Sequence, residues 1–176
     1  MFDSFSLGAI KTVMLAQQEA LRNGHRYADT EHLLLGLLGE GKGIAYKSLI
    51  ASGVDLKSAR RRVTERIACR SNLVKLPWFL WWTCLIPSPD NRRGQFTFKP
   101  HAKRALELAC EESKDMNKSF VHTSHLLLGI IREREADDDV LNIERSEGIA
   151  IEVLHDFNID TNELRELILE SMKDEK

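Results

Sequence analysis

Cysteine, proline and alternating β-branched stretches are all scarce in this chain of 176 residues, and each scarcity removes a class of protein. Cys69, Cys84 and Cys110 are odd in number, far apart and without a Cys-x-x-Cys pair. A reducing compartment therefore fits better than a disulfide framework. Proline occurs four times, and Pro77, Pro87 and Pro89 bracket a single segment. Strand signals are nearly absent, since no Asn-Gly turn sits between alternating apolar runs, which excludes an all-β fold. The longest apolar stretch, residues 76–86, falls well short of the roughly twenty residues that a bilayer-crossing helix needs. The opening Met1-Phe2-Asp3-Ser4 has no basic start followed by an apolar run, and no Arg- and Ser-rich transit segment precedes the first helical pattern. Cytosol is the expected compartment. Charge is nearly balanced at -2 overall, with eleven Lys+Arg against seven Asp+Glu in residues 1–72 and an acidic remainder, so no domain-wide basic field suits nucleic acid.

What the chain does have is a repetition. Thr30-Glu31-His32-Leu33-Leu34-Leu35-Gly36 and Thr123-Ser124-His125-Leu126-Leu127-Leu128-Gly129 differ only at their second position. The flanks agree without a gap: Ala9, Leu15, Ala16 and Glu19 meet Ala102, Leu108, Ala109 and Glu112. After extra residues in the second copy, Gly43-Ile44-Ala45 meets Gly148-Ile149-Ala150, and Val54-Asp55 meets Ile159-Asp160. An internal duplication follows, with repeat one over 5–68, a Trp- and Pro-rich linker over 69–97 and repeat two over 98–173, all in one domain.

Each copy reads as four helices. Ile10, Val13, Met14, Gln17 and Leu21 recur at helical spacing between Ser6 as a cap and Asn23-Gly24 as a stop, predicting a helix from Leu7 to Arg22. Its counterpart begins at Pro100 and runs towards Asn117. Thr30 and Thr123 are expected to cap the Leu-rich second helices. A third helix follows Gly43 and Gly148, and its stop pairs Gly53 with Asn158, the two residue types that best accept a left-handed backbone. Asp55 and Asp160 then cap a fourth helix. The fold class is all-α, eight helices in two four-helix repeats related by a pseudo-twofold axis.

Reactive chemistry finds no foothold. Gly36 to Gly43 comes within one residue of a phosphate-binding loop, but Gly43 lacks the hydroxyl for Mg²⁺ and the stretch follows a helix. His32, His122 and His125 provide only one local His pair, too few for a metal, and read as structural members of capping networks. No nucleophile motif is present, so no enzyme, cofactor or metal is expected. Arg62, Arg66 and Arg70, with Lys57, Arg60 and Arg61, predict a basic strip that could meet nucleic acid or an acidic partner. Residues 133–147, centred on Asp137-Asp138-Asp139, read as a solvated acidic loop, and the Trp-rich segment 76–86 as a partly buried linker or an aromatic docking patch.

The paired T-x-H-L-L-L-G boxes, each after an Ala/Leu-rich helix and before a G-[IV]-A helix, resemble the N-terminal domain of Clp-type AAA+ unfoldases of the ClpC group. Met1 to Ser6 and Phe98 to Arg104 share that resemblance. It implies a domain that does no chemistry but receives adaptors or substrate proteins for an ATP-driven unfoldase and its Clp peptidase, in the cytosol or, for a processed form, the plastid stroma. It also implies phosphoarginine recognition by Ser6 and Glu31. In the second copy Lys99 and Ser124 stand where the hydroxyl and the carboxylate are expected.

Overall fold

A computed structural model describes residues 4–70, 97–136 and 148–174. Among them eight helices follow in order: α1 Leu7–Arg22, α2 Thr30–Glu40, α3 Ile44–Ala51 and α4 Leu56–Arg70, then α5 Pro100–Asp115, α6 Thr123–Ala136, α7 Ile149–Asp156 and α8 Thr161–Asp174. The duplication survives to the residue, because α1 and α5 each have 16 residues and α3 and α7 each have 8. The Trp-rich segment lies outside the described residues.

The predicted ends hold for physical reasons. Ser6 accepts from Ala9 N–H at α1, and Asp55 and Asp160 accept from Lys57 and Asn162 at the fourth helices. Both copies leave their helices through left-handed residues, and they do so at two positions: Gly24 (φ 72°) matches Asn117 (φ 52°), and Gly53 (φ 86°) matches Asn158 (φ 55°). Repeat one solves each turn with glycine and repeat two with asparagine.

The buried face of α1 differs from the expected one. Ala9, Thr12, Val13, Ala16, Glu19 and Ala20 point inward, while Met14 and Leu21 are exposed. The reason lies in Gly36, where a Cβ would collide with the Thr12 carbonyl and sit 3.0 Å from Ala16 N. Two backbones pack at the distance only glycine allows, so small residues face the neighbour and large ones turn outward. Gly129 repeats this against the Ala105 carbonyl and Ala109. α2 is then enclosed on all sides, with Leu33, Leu34, Leu35, Leu37 and Leu38 buried. Burial of such a side chain contributes about 1.5–3 kcal/mol.

A trace of β structure joins the copies where none was expected. Strand β1, Tyr27–Ala28, pairs in parallel with β2, Thr97–Phe98, and Phe5 bridges Val121. Those pairings are exchanged equivalents: Ser6 N–H donates to the Val121 carbonyl and Lys99 N–H to the Ala28 carbonyl, both at 2.9 Å. The segment entering each repeat therefore pairs with the segment before the Leu-rich helix of the other. Helical contacts cross over as well, α2 and α4 meeting α7, and α3 meeting α6 and α8. The copies interlock around one core.

Candidate functional site

Crossed pairing creates two equivalent junctions, each where the start of a Leu-rich helix in one repeat meets segments of the other. At the first junction, α2 opens on a cap that sequence reading placed one residue late. Asp29 is the N-cap, its Oδ1 accepting from Thr30 N–H at 2.9 Å, and His32 Nδ1 accepts from Asp29 N–H at 3.1 Å. Histidine thus takes the part that Glu or Gln plays in a capping box. Thr30 is the first helical residue, and its Oγ1 has no hydrogen-bond partner among the described residues. Its place is steric, since a Cβ at Gly148 would lie 2.8 Å from that oxygen; Thr123 abuts Gly43 equivalently. Each box threonine therefore packs against the glycine that opens the third helix of the other repeat.

The histidines are structural members of caps, as expected. His32 Nε2 lies 2.9 Å from His25 Nδ1, and with Nδ1 serving as acceptor the His32 proton sits on Nε2. Burial, then the neighbouring His25, pushes His32 down to about 4. His125 Nδ1 accepts from His122 N–H at 2.9 Å, and burial, then His122, brings it to about 4. Both rings are neutral at pH 7. His25, Glu31 and His32 bring one ligand-capable atom each within 4.8 Å of one another. Sequence spacing missed this trio because His25 belongs to the turn before β1, seven residues from His32. Three of its nitrogens are already engaged, His32 Nδ1 in the cap and His32 Nε2 and His25 Nδ1 in the His–His bond.

Ser6 and Glu31 are not brought together. Glu31 is buried at the start of α2, with Oε1 3.4 Å from His32 Nδ1. Across that junction Lys99 Nζ reaches Asp29 Oδ2 at 3.2 Å. Ser6 lies instead at the second junction, which opens into a cavity of about 600 Å³ lined by Ser6, Leu7, Gly8, Glu40, Lys42, Gly43, Ile44, Lys118, His122, Thr123, Ser124 and Met172. The exchange of strands explains this, because Ser6 hydrogen-bonds to Val121 just before the second box. Gly36 and Gly129 sit in the helix packing described above, away from the cavity.

Two expected surfaces are corrected. Within the described part of the Arg60–Arg70 strip, Arg60 Nε donates to Glu19 Oε2 at 3.1 Å, and Arg66 Nε to Asp156 Oδ2 at 2.9 Å in the other repeat. Arg61 and Arg62 both approach Glu65. Acids of the fold thus pair with part of the charge that a nucleic acid would need. Residues 133–136, expected in an acidic loop, instead continue α6, and Glu133 is buried with Oε1 2.6 Å from His101 Nδ1. Asp137-Asp138-Asp139 lies outside the described residues.

A repeated four-helix unit, boxes at equivalent helix starts and crossed pairing invite comparison with known proteins. Residues 4–75 and 83–143 match the Clp repeat (R) N-terminal domain, Clp_N. The chain belongs to the Clp_N family. An ATP-dependent Clp protease ATP-binding subunit ClpA homolog of Guillardia theta is 38% identical over 99% of this chain and 18% of its own length. Chaperone protein ClpC1, chloroplastic, of Oryza sativa subsp. japonica is 37% identical over 96% of this chain and 15% of its own. The chain thus spans less than a fifth of the length of the curated relatives it matches. Among solved structures, the N-terminal domain of the chaperone ClpD from Arabidopsis thaliana shares the fold with a TM-score of 0.64 and 23% identity, covering 98% of this chain and 99% of that one. The Hsp104 N-terminal domain from Candida albicans does so at 0.60 and 15%, covering 97% and 92%. The two-repeat all-α reading stands with the Clp_N family.

Proposed function

We propose that this Clp_N chain is a docking module that receives adaptor or substrate proteins for an ATP-dependent Clp chaperone-protease system and performs no catalysis itself. The observation that carries this reading is the match of nearly the whole chain to Clp unfoldase subunits and chaperones. Its architecture supports the same reading, since the two copies interlock around one core and leave a cavity at the second box. The partners are the Clp unfoldase, its peptidase core and their adaptors or clients. The compartment is the plastid stroma or cytosol, the stroma being favoured by relatives named chloroplastic.

Within this reading the phosphoarginine assignment divides between the junctions. Glu31 supplies the guanidinium-facing carboxylate of the first, with Lys99 opposite, and Ser6 belongs to the second. The decisive experiment is a pull-down of the tagged chain against a Clp unfoldase, the Clp peptidase and a cognate adaptor. Retention of at least one is the expected result, and failure with all three would remove the proposal. Glu31→Gln should weaken binding of an arginine-phosphorylated protein while leaving the fold in place.

A further inference from the structure

The fourth helices of the two repeats carry opposite charge on equivalent faces. On α4, Lys57 and Arg61 stand four residues apart on the solvent side, Arg61 with 71% of its side chain exposed. On α8, Glu163, Glu166 and Glu170 are all exposed and follow one another at intervals of three and four. Residues so spaced share one face of a helix. With Asp55 matched to Asp160, Arg61 of the first copy stands where Glu166 stands in the second.

The fold leaves most of this charge unanswered. Arg60 and Arg66 hold α4 to the rest of the molecule through Glu19 and Asp156, whereas Arg61 approaches only Glu65 of its own helix, at 3.5 Å. Lys57, Glu163, Glu166 and Glu170 form no ion pair among the described residues. Like charges at these spacings destabilise a helix, so the acid stripe gains from a cation brought to it. Neither stripe is covered, since α4 packs on α2 and α7 and α8 on α3 and α6 through their other faces.

The two stripes fit each other. Laid antiparallel, Lys57 meets Glu170, Arg61 falls between Glu166 and Glu163, and Glu65 faces the Asn162 amide. Laid parallel with equivalent residues level, Glu65 would face Glu170, like against like. We propose that a second copy of this chain docks here, with α8 of one copy on α4 of the next. Charge complementarity names the occupant and sets its direction. The two faces differ, so each contact leaves one α4 and one α8 to be met, and copies close into a ring or continue as a row. This inference stands apart from the docking of adaptors and is tested separately.

Sedimentation velocity of the full chain provides the test, at about 0.02 M and about 0.3 M salt, because screening weakens exposed pairs. At low salt the mean mass should rise with concentration above that of one chain, and at high salt it should fall back. Arg61→Glu and Glu166→Arg, each on an exposed residue, should weaken association by roughly tenfold or more with an unchanged circular dichroism spectrum. Mixing the two variants should restore it, because each supplies the intact face that the other lacks. Both substitutions in one chain should restore it as well, with the charges exchanged. A chain that stays single at low salt, association that resists salt or ignores either reversal, or variants that stay apart when mixed would each overturn the inference. A single chain that shifts duplex DNA in a gel, with the shift lost in Arg61→Glu, would give the α4 stripe to nucleic acid instead.

Discussion

The first junction carries Asp29 and Glu31 at its helix start, and the second carries His122 and Ser124 at the same places. Everything mechanical around those positions is shared: a histidine accepts the N-cap amide, a threonine abuts the opposite glycine, and a glycine admits the neighbouring backbone. Duplication has therefore conserved the packing of the two copies and let their electrostatics diverge. Packing contacts are mutual, so a change in one element must be answered by another, whereas a charge at a helix start can change with little effect on the core.

The sharpest way to break the mechanical equivalence is to fill the helix crossing. Gly36→Ala and Gly129→Ala should each cost about 3 kcal/mol or more, because the new methyl collides with a backbone carbonyl that cannot swing away. Denaturant unfolding would show both midpoints falling together. A large loss in one variant only would mean that the crossings are not equivalent.

Acid should act on the two caps alike. His32 and His125 fall from the ordinary 6.5 to about 4 in the folded chain, so the unfolded state binds more protons between those values. Stability contributed by keeping these rings neutral is complete above pH 6.5 and is lost as pH drops towards 4, at about 1.4 kcal/mol per pH unit for each ring. Replacing either histidine with glutamine should flatten the slope of stability against pH, measured by urea titration at several pH values. An unchanged slope would remove the neutral cap.

Smaller effects separate the copies. Gly53→Ala should destabilise by about 1 kcal/mol, as it forces a methyl into a left-handed turn, whereas Asn158→Gly should be neutral within a few tenths. Arg66→Ala should cost about 0.5–1 kcal/mol, since its pair with Asp156 joins the repeats but Arg66 stays 39% exposed to screening solvent. That loss should shrink in high salt, and a salt-independent loss would point to packing of the side chain instead.

Much of the architecture was legible in the residues. The α1 boundaries, Pro100 at the start of α5, the Asp55 and Asp160 caps and the Gly53–Asn158 pairing all follow from local backbone preferences, which act over a few residues and leave a mark in each copy. The inward face of α1 was not legible, because hydrophobicity favours Met14 and Leu21 while the closeness of α2 favours Ala9 and Ala16. Asp29 escaped notice as a cap for a related reason: its counterpart is His122, so comparison of the copies drew attention to the shared threonine instead. The candidate sites were the least legible part. Ser6 and Glu31 belong to one repeat in sequence, yet the exchanged strands deliver them to different junctions.

The chain by itself determined that two four-helix units form, where most of their helices begin and end, and that both copies need the same turns, since those demands are local and each repeat meets them separately. Only the tertiary structure decided which surfaces the units share. Crossing the copies set Thr30 against Gly148, tied Arg66 to Asp156 and placed Ser6 beside Ser124, because contacts between distant segments depend on how the two cores close over each other, a choice that no stretch of neighbouring residues encodes.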